Sequence, residues 1–346
     1  MSGHTKFKPK ELWGKTMPFV WAKLMLRLVA ILIGAIILGI SIWIFTINAA
    51  VGFFAVVIGL SMAVGIYSFI VNIFGYAIRV GHVAVLAETI KTGKLPENQL
   101  VYGKDKVVSK IGTAAAFFAL NRLVDRGVQE LQRGLGSIAG MLGGLPGMGG
   151  AVKIGQKILG KALKYVDECC LGWIFYNYDK EQSATKGAID GIVIYVQNWK
   201  PILGNAVKTT FMAMAATLGI GLVLVLVFVG LLGFLGGGVW GVLAFFLGLM
   251  VAMAVKRAFI DSWVMIRMLS TYMDVAPGTQ IRFDVYGALS GQSRAFKKLC
   301  GMAQDEISAA PTRSAAPAPS KPVFCGECGA SNVPGAGFCG ECGAKV

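Results

Sequence analysis

Two long stretches of the chain carry no charged side chain: 51 residues between Arg27 and Arg79, and 47 between Lys208 and Lys256. A bilayer core about 30 Å thick needs roughly 20 apolar residues of helix, each rising about 1.5 Å. Each stretch is therefore long enough for two crossings and too short for three. In the first, Asn48 followed by Ala49, Ala50 and Gly52 marks a turn, which predicts spans over residues 27–47 and 52–78. In the second, Gly236, Gly237 and Gly238 interrupt the pattern and predict spans over 208–232 and 238–256. Trp21, Trp43, Trp240 and Trp263 fall near the span ends, where an amphipathic indole favours the membrane interface.

The pattern changes between these stretches. Phe117, Leu120, Val124, Leu131, Leu135, Ile138 and Leu142 recur every three or four positions, while Arg122, Asp125, Arg126, Glu130 and Arg133 fill the opposite face. This is an amphipathic helix packed on protein or lying in the interface, because five charges exclude a crossing. Residues 134–152 follow, uncharged, with Gly136, Gly140 and Gly144 ahead of Pro146. They read as a glycine-rich turn, a closely packed helix face or a sheltered re-entrant hairpin. Lys153, Lys157, Lys161 and Lys164 then line one side of a helix, with Ile154, Ile158, Leu159, Leu163 and Val166 on the other. A basic amphipathic helix with few acids fits the surface of an anionic leaflet, or else the solvated face of a cytosolic bundle. Trp173, Phe175, Tyr176, Tyr178, Tyr195 and Trp199 crowd the next region. They read as an interfacial belt; the alternative is that Trp173, Tyr176, Tyr195 and Trp199 contact an organic cation through their ring faces.

Composition sharpens this picture. With 55% apolar and only 15% charged residues, the chain is neither a soluble globule nor a disordered polymer. Seven cysteines in 346 residues do not make a disulfide scaffold. The net charge of +15 is distributed informatively. Six Lys and Arg precede the first span against Glu11 alone, 79–205 holds sixteen against ten acids, and 257–346 holds nine against seven. The predicted hairpin turns carry none. By the positive-inside rule, both termini and every sizeable soluble segment are expected on the cytosolic side of the cell membrane, facing the anionic inner leaflet. No basic, aromatic-rich soluble module suggests nucleic acid. The Lys-rich start suits a signal peptide, but a second span follows at once, so the first reads as a retained anchor.

The sharpest motif is near the C-terminus. Phe324-Cys325-Gly326-Glu327-Cys328-Gly329-Ala330 recurs as Phe338-Cys339-Gly340-Glu341-Cys342-Gly343-Ala344. Two residues between cysteines let a tight turn aim both sulfurs at one ion, and two such turns complete a closed tetrahedral site. The motif resembles the short zinc-ribbon family found at the ends of many membrane proteins, over about 24 residues. That resemblance implies structural Zn²⁺ on Cys325, Cys328, Cys339 and Cys342, with iron in the same four sulfurs as the alternative. A cytosolic location disfavours a disulfide pair. Four thiolates leave no open coordination position, so the module is expected to bind a protein partner and not to catalyse. Residues 308–323 contain Pro311, Pro317, Pro319 and Pro322 and form an extended tether of roughly 3 Å per residue.

Catalytic constellations are not evident. His4 and His82 have no triad context, and Cys169, Cys170 and Cys300 lack ligand spacing and read as buried or interfacial thiols. Gly150 to Gly155 is followed by Gln156 where a phosphate-binding loop needs lysine. The chain is therefore expected not to be an enzyme.

From Leu145-Pro146 onward, a second resemblance runs through Lys164-Tyr165-Val166-Asp167, Gly187 to Tyr195, the paired spans and Ala258-Phe259-Ile260-Asp261 leading to Asp274. Over roughly 130 residues this order is similar to the C-terminal half of the choline-transporter-like family, and it implies organic-cation transport. The family has more membrane helices, and a large extracellular loop that this chain lacks.

The expected architecture is an all-α integral membrane protein with two transmembrane helical hairpins, amphipathic cytosolic helices and a small zinc ribbon. Its parts are a basic N-terminus (1–26), hairpins at 27–78 and 206–256, an interfacial segment (79–205), membrane-proximal helices (257–307), a linker (308–323) and the ribbon (324–346). The functional expectation is a membrane scaffold or recruitment factor whose ribbon docks a cytosolic partner. The alternative is a channel or transporter, and thin bundles of four spans favour a homo-oligomer in either case.

Overall fold

The computed structural model describes residues 7–111, 126, 130, 165–177, 183–233, 239–309, 323–324 and 331–332. The glycine-rich stretch, the basic stripe of Lys153, Lys157, Lys161 and Lys164, and the four motif cysteines lie outside the described residues. The chain divides into two compact units, 1–302 and 303–346.

The described residues of the first unit form helices joined by short connections. A short helix α1 (Pro9–Lys15) leads into α2 (Met17–Ile47) and α3 (Ala49–Thr92), followed by α4 (Gln99–Ile111). Then come α5 (Val166–Tyr176), α6 (Ala184–Gln197), α7 (Trp199–Gly233) and α8 (Val239–Val255). A π-helical turn (Lys256–Ile260) joins α8 to α9 (Asp261–Val275), and α10 (Phe283–Gln292) and α11 (Arg294–Ala309) follow. Among the described residues three helices are long and apolar enough to cross a membrane: α2, α3 and the Lys208–Gly230 part of α7. α8 has 17 residues, about 25 Å at 1.5 Å per residue, and continues through the π turn into α9 without a break.

The predicted turn at Asn48 is observed. Its side chain accepts a hydrogen bond from the Val51 amide and so caps α3, supplying a partner to an otherwise orphaned donor. From that turn α2 and α3 run antiparallel, with Gly34 against Ala63 and Gly75 against Leu26. Gly52 permits the closest approach, since a Cβ there would land on the Phe45 backbone. α3 has 44 residues, about 66 Å, or twice the apolar thickness of a bilayer. The expected boundary at residue 78 thus falls within one continuous helix, which ends at Gly93 in the left-handed conformation that glycine adopts freely.

Beyond residue 79 the surroundings change. Val80 to Ala87 is buried on all sides, as are nearly all residues of α5 and α6 and most of α9. Glycines set the spacing in this core: Gly172 lies against Leu269 and Met273, Gly187 against Ile174, and Gly191 against Cys170. The Tyr272 hydroxyl donates to the Gly191 carbonyl at 3.2 Å. The helices α5 and α6, in the segment expected at the membrane interface, are mostly buried against other helices. α5 packs between α3 and α9, and α6 packs on α5. Cys169 and Cys170 are buried thiols, and burial pushes their pKa up, so that they resist ionisation.

In the second unit, Val323–Phe324 (β1) and Ser331–Asn332 (β2) pair antiparallel, Val323 opposite Asn332 and Phe324 opposite Ser331.

Candidate functional site

Polar and charged side chains meet at the base of the α2–α3 pair, the end remote from Asn48. Lys23 of α2 is 5% exposed and His82 of α3 is fully buried. The Lys23 ammonium donates to His82 Nδ1 at 2.9 Å and to the Ser262 hydroxyl of α9 at 3.0 Å. On the other edge of the imidazole, Nε2 lies 2.8 Å from the Thr16 hydroxyl, which itself donates to the Leu12 carbonyl at 2.8 Å. With that hydroxyl proton committed, Thr16 Oγ1 accepts from His82, so the ring is assigned as neutral with its proton on Nε2. Phe19 stacks on the imidazole at 4.8 Å between centroids. Four helices, α1, α2, α3 and α9, are joined through one directed chain of hydrogen bonds.

One helical turn before His82, Arg79 reaches α5. Its guanidinium lies 3.0 Å from Glu168 Oε1 and 3.5 Å from Asp167 Oδ2, and 5.1 Å from the Tyr76 ring centroid. Both carboxylates are buried, whereas the Arg79 side chain is one-third exposed. Burial, and secondly the neighbouring Glu168, push the Asp167 carboxyl well above the usual carboxylate range, and Arg79 opposes the shift only in part. Asp167 thus holds its proton to higher pH than an ordinary aspartate. Lys256, at the start of the π turn, pairs with Asp261 at 2.6 Å.

Further out, the Tyr286 hydroxyl donates to Asp190, which links α10 to α6. Glu130, expected on the polar face of the amphipathic helix, accepts from the Ser293 hydroxyl at 2.7 Å and from the Ala295 amide at 3.1 Å. A carboxylate at the start of α11 complements the exposed amides and the positive end of the helix dipole.

The aromatic residues are arranged by pairs. Trp173 stacks on Tyr176 at 5.8 Å, and Tyr195, 3% exposed, stacks on Tyr272 at 6.2 Å. Phe175 is also buried within the core. Trp199 opens α7, and its side chain is outside the described residues.

Sequence reasoning missed the polar network. Lys23 entered only as one of six basic residues before the first span, and His82 as an isolated histidine. Their partners are 59 and 239 residues away in the chain, beyond any local motif. The available signal was the ionisable residues at one end of each of two long apolar helices, which mark positions needing partners. Among the described residues no group of three or more His, Cys, Asp and Glu could hold a metal ion. Compared with known protein families, curated proteins and solved structures, the chain matches none.

Proposed function

We propose that the protein is a non-catalytic membrane scaffold: a helical body anchored in the cell membrane by two hairpins, carrying a tethered cytosolic zinc ribbon that recruits a protein partner. The observation that carries this reading is the repeated cysteine motif together with the strand pairing beside it. β1 and β2 bring Phe324 next to Ser331, and Cys325 and Cys328 are among the six residues between them in the sequence. So short a connection between paired strands suits a two-cysteine metal knuckle. So small a module has little apolar core, and Zn²⁺ on Cys325, Cys328, Cys339 and Cys342 supplies its folding energy. The separate compactness of 303–346 supports a module that works by itself. The large apolar side chains exposed along α2, α3 and α7 support lipid contact, and the basic N-terminus and Lys153, Lys157, Lys161 and Lys164 support an inner-leaflet orientation.

The test is cross-linked co-purification from membranes, comparing the wild type with the variant in which all four motif cysteines are serine. Scaffold function predicts that bound zinc and a defined set of partners are lost together while membrane insertion is retained. An unchanged set of partners contradicts it.

A second reading, an oligomeric transporter of a small organic cation, is favoured by one observation. Lys23, Arg27, Arg79 and His82 lie on the long helices, and ionisable groups on such helices often mark transport pathways. Choline uptake into reconstituted vesicles that disappears in His82→Ala would support it. No flux above that of empty vesicles would remove it.

A further inference from the structure

A groove of about 980 Å³ opens between α1, α7 and the continuous helix formed by the π turn and α9. Its walls change character along their length. At one end stand Lys8, Lys10 and Arg267, together with the carboxylate of Asp274. At the other, Met212, Ala213, Ala216 and Ile220 of α7 face Phe259 of the π turn. From Met212 to Ile220 the apolar lane runs about 12 Å, close to the depth of one leaflet of a 30 Å core. Ala213 and Ala216 leave the lane open where larger residues would close it. α7 exposes Phe211 and Leu218 beside it, as expected of a helix in lipid.

At the polar end three cations stand against one carboxylate. Lys8, Lys10 and Arg267 form no ion pair among the described residues, where Arg267 rests on the Trp263 ring at 5.5 Å. Two buried hydrogen-bonding atoms in the same wall, Trp13 Nε1 and Ser270 Oγ, find no partner among the described residues. An indole N–H only donates, and a hydroxyl can donate. Such groups are costly to bury without a partner. Three cations and two unused donors call for an anion rich in oxygen, and the adjoining lane calls for a hydrocarbon chain.

We propose that this groove is a binding site for one anionic phospholipid, its phosphate held by Lys8, Lys10 and Arg267 and one acyl chain lying along Met212–Ile220. Trp13 and Ser270 donate to phosphate or ester oxygens. The site requires the membrane setting and is independent of the ribbon.

The test is native mass spectrometry of the full-length protein in detergent, titrated with dioleoyl phosphatidylglycerol, dioleoyl phosphatidylcholine or inorganic phosphate. One phosphatidylglycerol per copy is expected to persist after the annular lipid is stripped, with phosphatidylcholine retained more weakly. Affinity should fall about fivefold for each cation removed in Arg267→Gln and in Lys8→Gln with Lys10→Gln. Ala216→Phe, at an exposed position that tolerates bulk, should block the lane and abolish retention with the melting temperature in detergent unchanged. Equal retention of both lipids, or wild-type affinity in Arg267→Gln, would overturn the proposal. Displacement of the lipid by millimolar phosphate would show a headgroup site without a chain, and would overturn it as well.

Discussion

The two halves of α3 have the same backbone and opposite surroundings. Between Asn48 and Tyr76 the helix exposes Phe53, Phe54, Val64 and Phe69, and its close contacts are to α2 through Gly52 and Gly59. From Arg79 to Thr89 nearly every residue is buried, and Arg79 and His82 bond to side chains of three other segments. The upper half depends on an apolar solvent, and the lower half brings its own packed environment. α2 exposes Ile36 and Ile40 above, and below it buries Lys23 on the face turned to α3 while Trp21 and Met25 stay exposed. The lesson is that apolarity in this chain has two causes. In one region it stays exposed, as contact with lipid would require; in the other it packs against protein, where polar groups are buried with defined partners.

The comparison is sharpest where a buried partner is removed. Arg79→Ala leaves Asp167 and Glu168 without their cation and is expected to cost about 3 kcal/mol, at the lower end for buried pairs because Arg79 is partly exposed. Thermal unfolding in detergent measures it. His82→Ala removes the acceptor for Lys23 and the donor to Thr16, and should cost about 2 kcal/mol by the same measurement. In the upper half, Gly52→Ala drives a methyl group into the Phe45 backbone and should loosen the α2–α3 contact at about 1–2 kcal/mol. Leu218→Ala, 72% exposed on α7, should stay within about 0.5 kcal/mol of the wild type. If the exposed and buried substitutions cost the same, the division fails.

A pH series separates the halves in another way. Asp167 binds its proton more tightly in the folded protein than in the unfolded chain. Its contribution to stability is therefore greatest below the ordinary carboxylate range and falls as pH rises toward the raised folded value. Asp167→Asn, which keeps the shape of the protonated acid, should abolish that decline. Wild-type and variant melting curves that remain parallel across the range would contradict the assignment.

The upper half was legible from sequence, because lipid demands long charge-free runs and the turn needed a capping side chain that Asn48 provides. The lower half was not. Ile189, Ile192 and Val193 are as apolar as a membrane segment, and nothing local tells whether such a face meets lipid or another helix. Gly172, Gly187 and Gly191 held the clue, since glycines within helices allow side chains of a neighbouring helix to approach closely. The network of Lys23, His82, Thr16 and Ser262 was hidden because its members are far apart in the chain and belong to no spacing rule.

The most direct test asks on which side of the membrane each end of α3 lies. Asn48→Cys at the turn and Lys94→Cys just past Gly93 can be labelled with a membrane-impermeant maleimide in right-side-out and in inverted vesicles, against the wild-type background. The account predicts that Cys at 48 labels only from outside and Cys at 94 only from inside. Labelling of both from the same side would mean that α3 does not cross the bilayer.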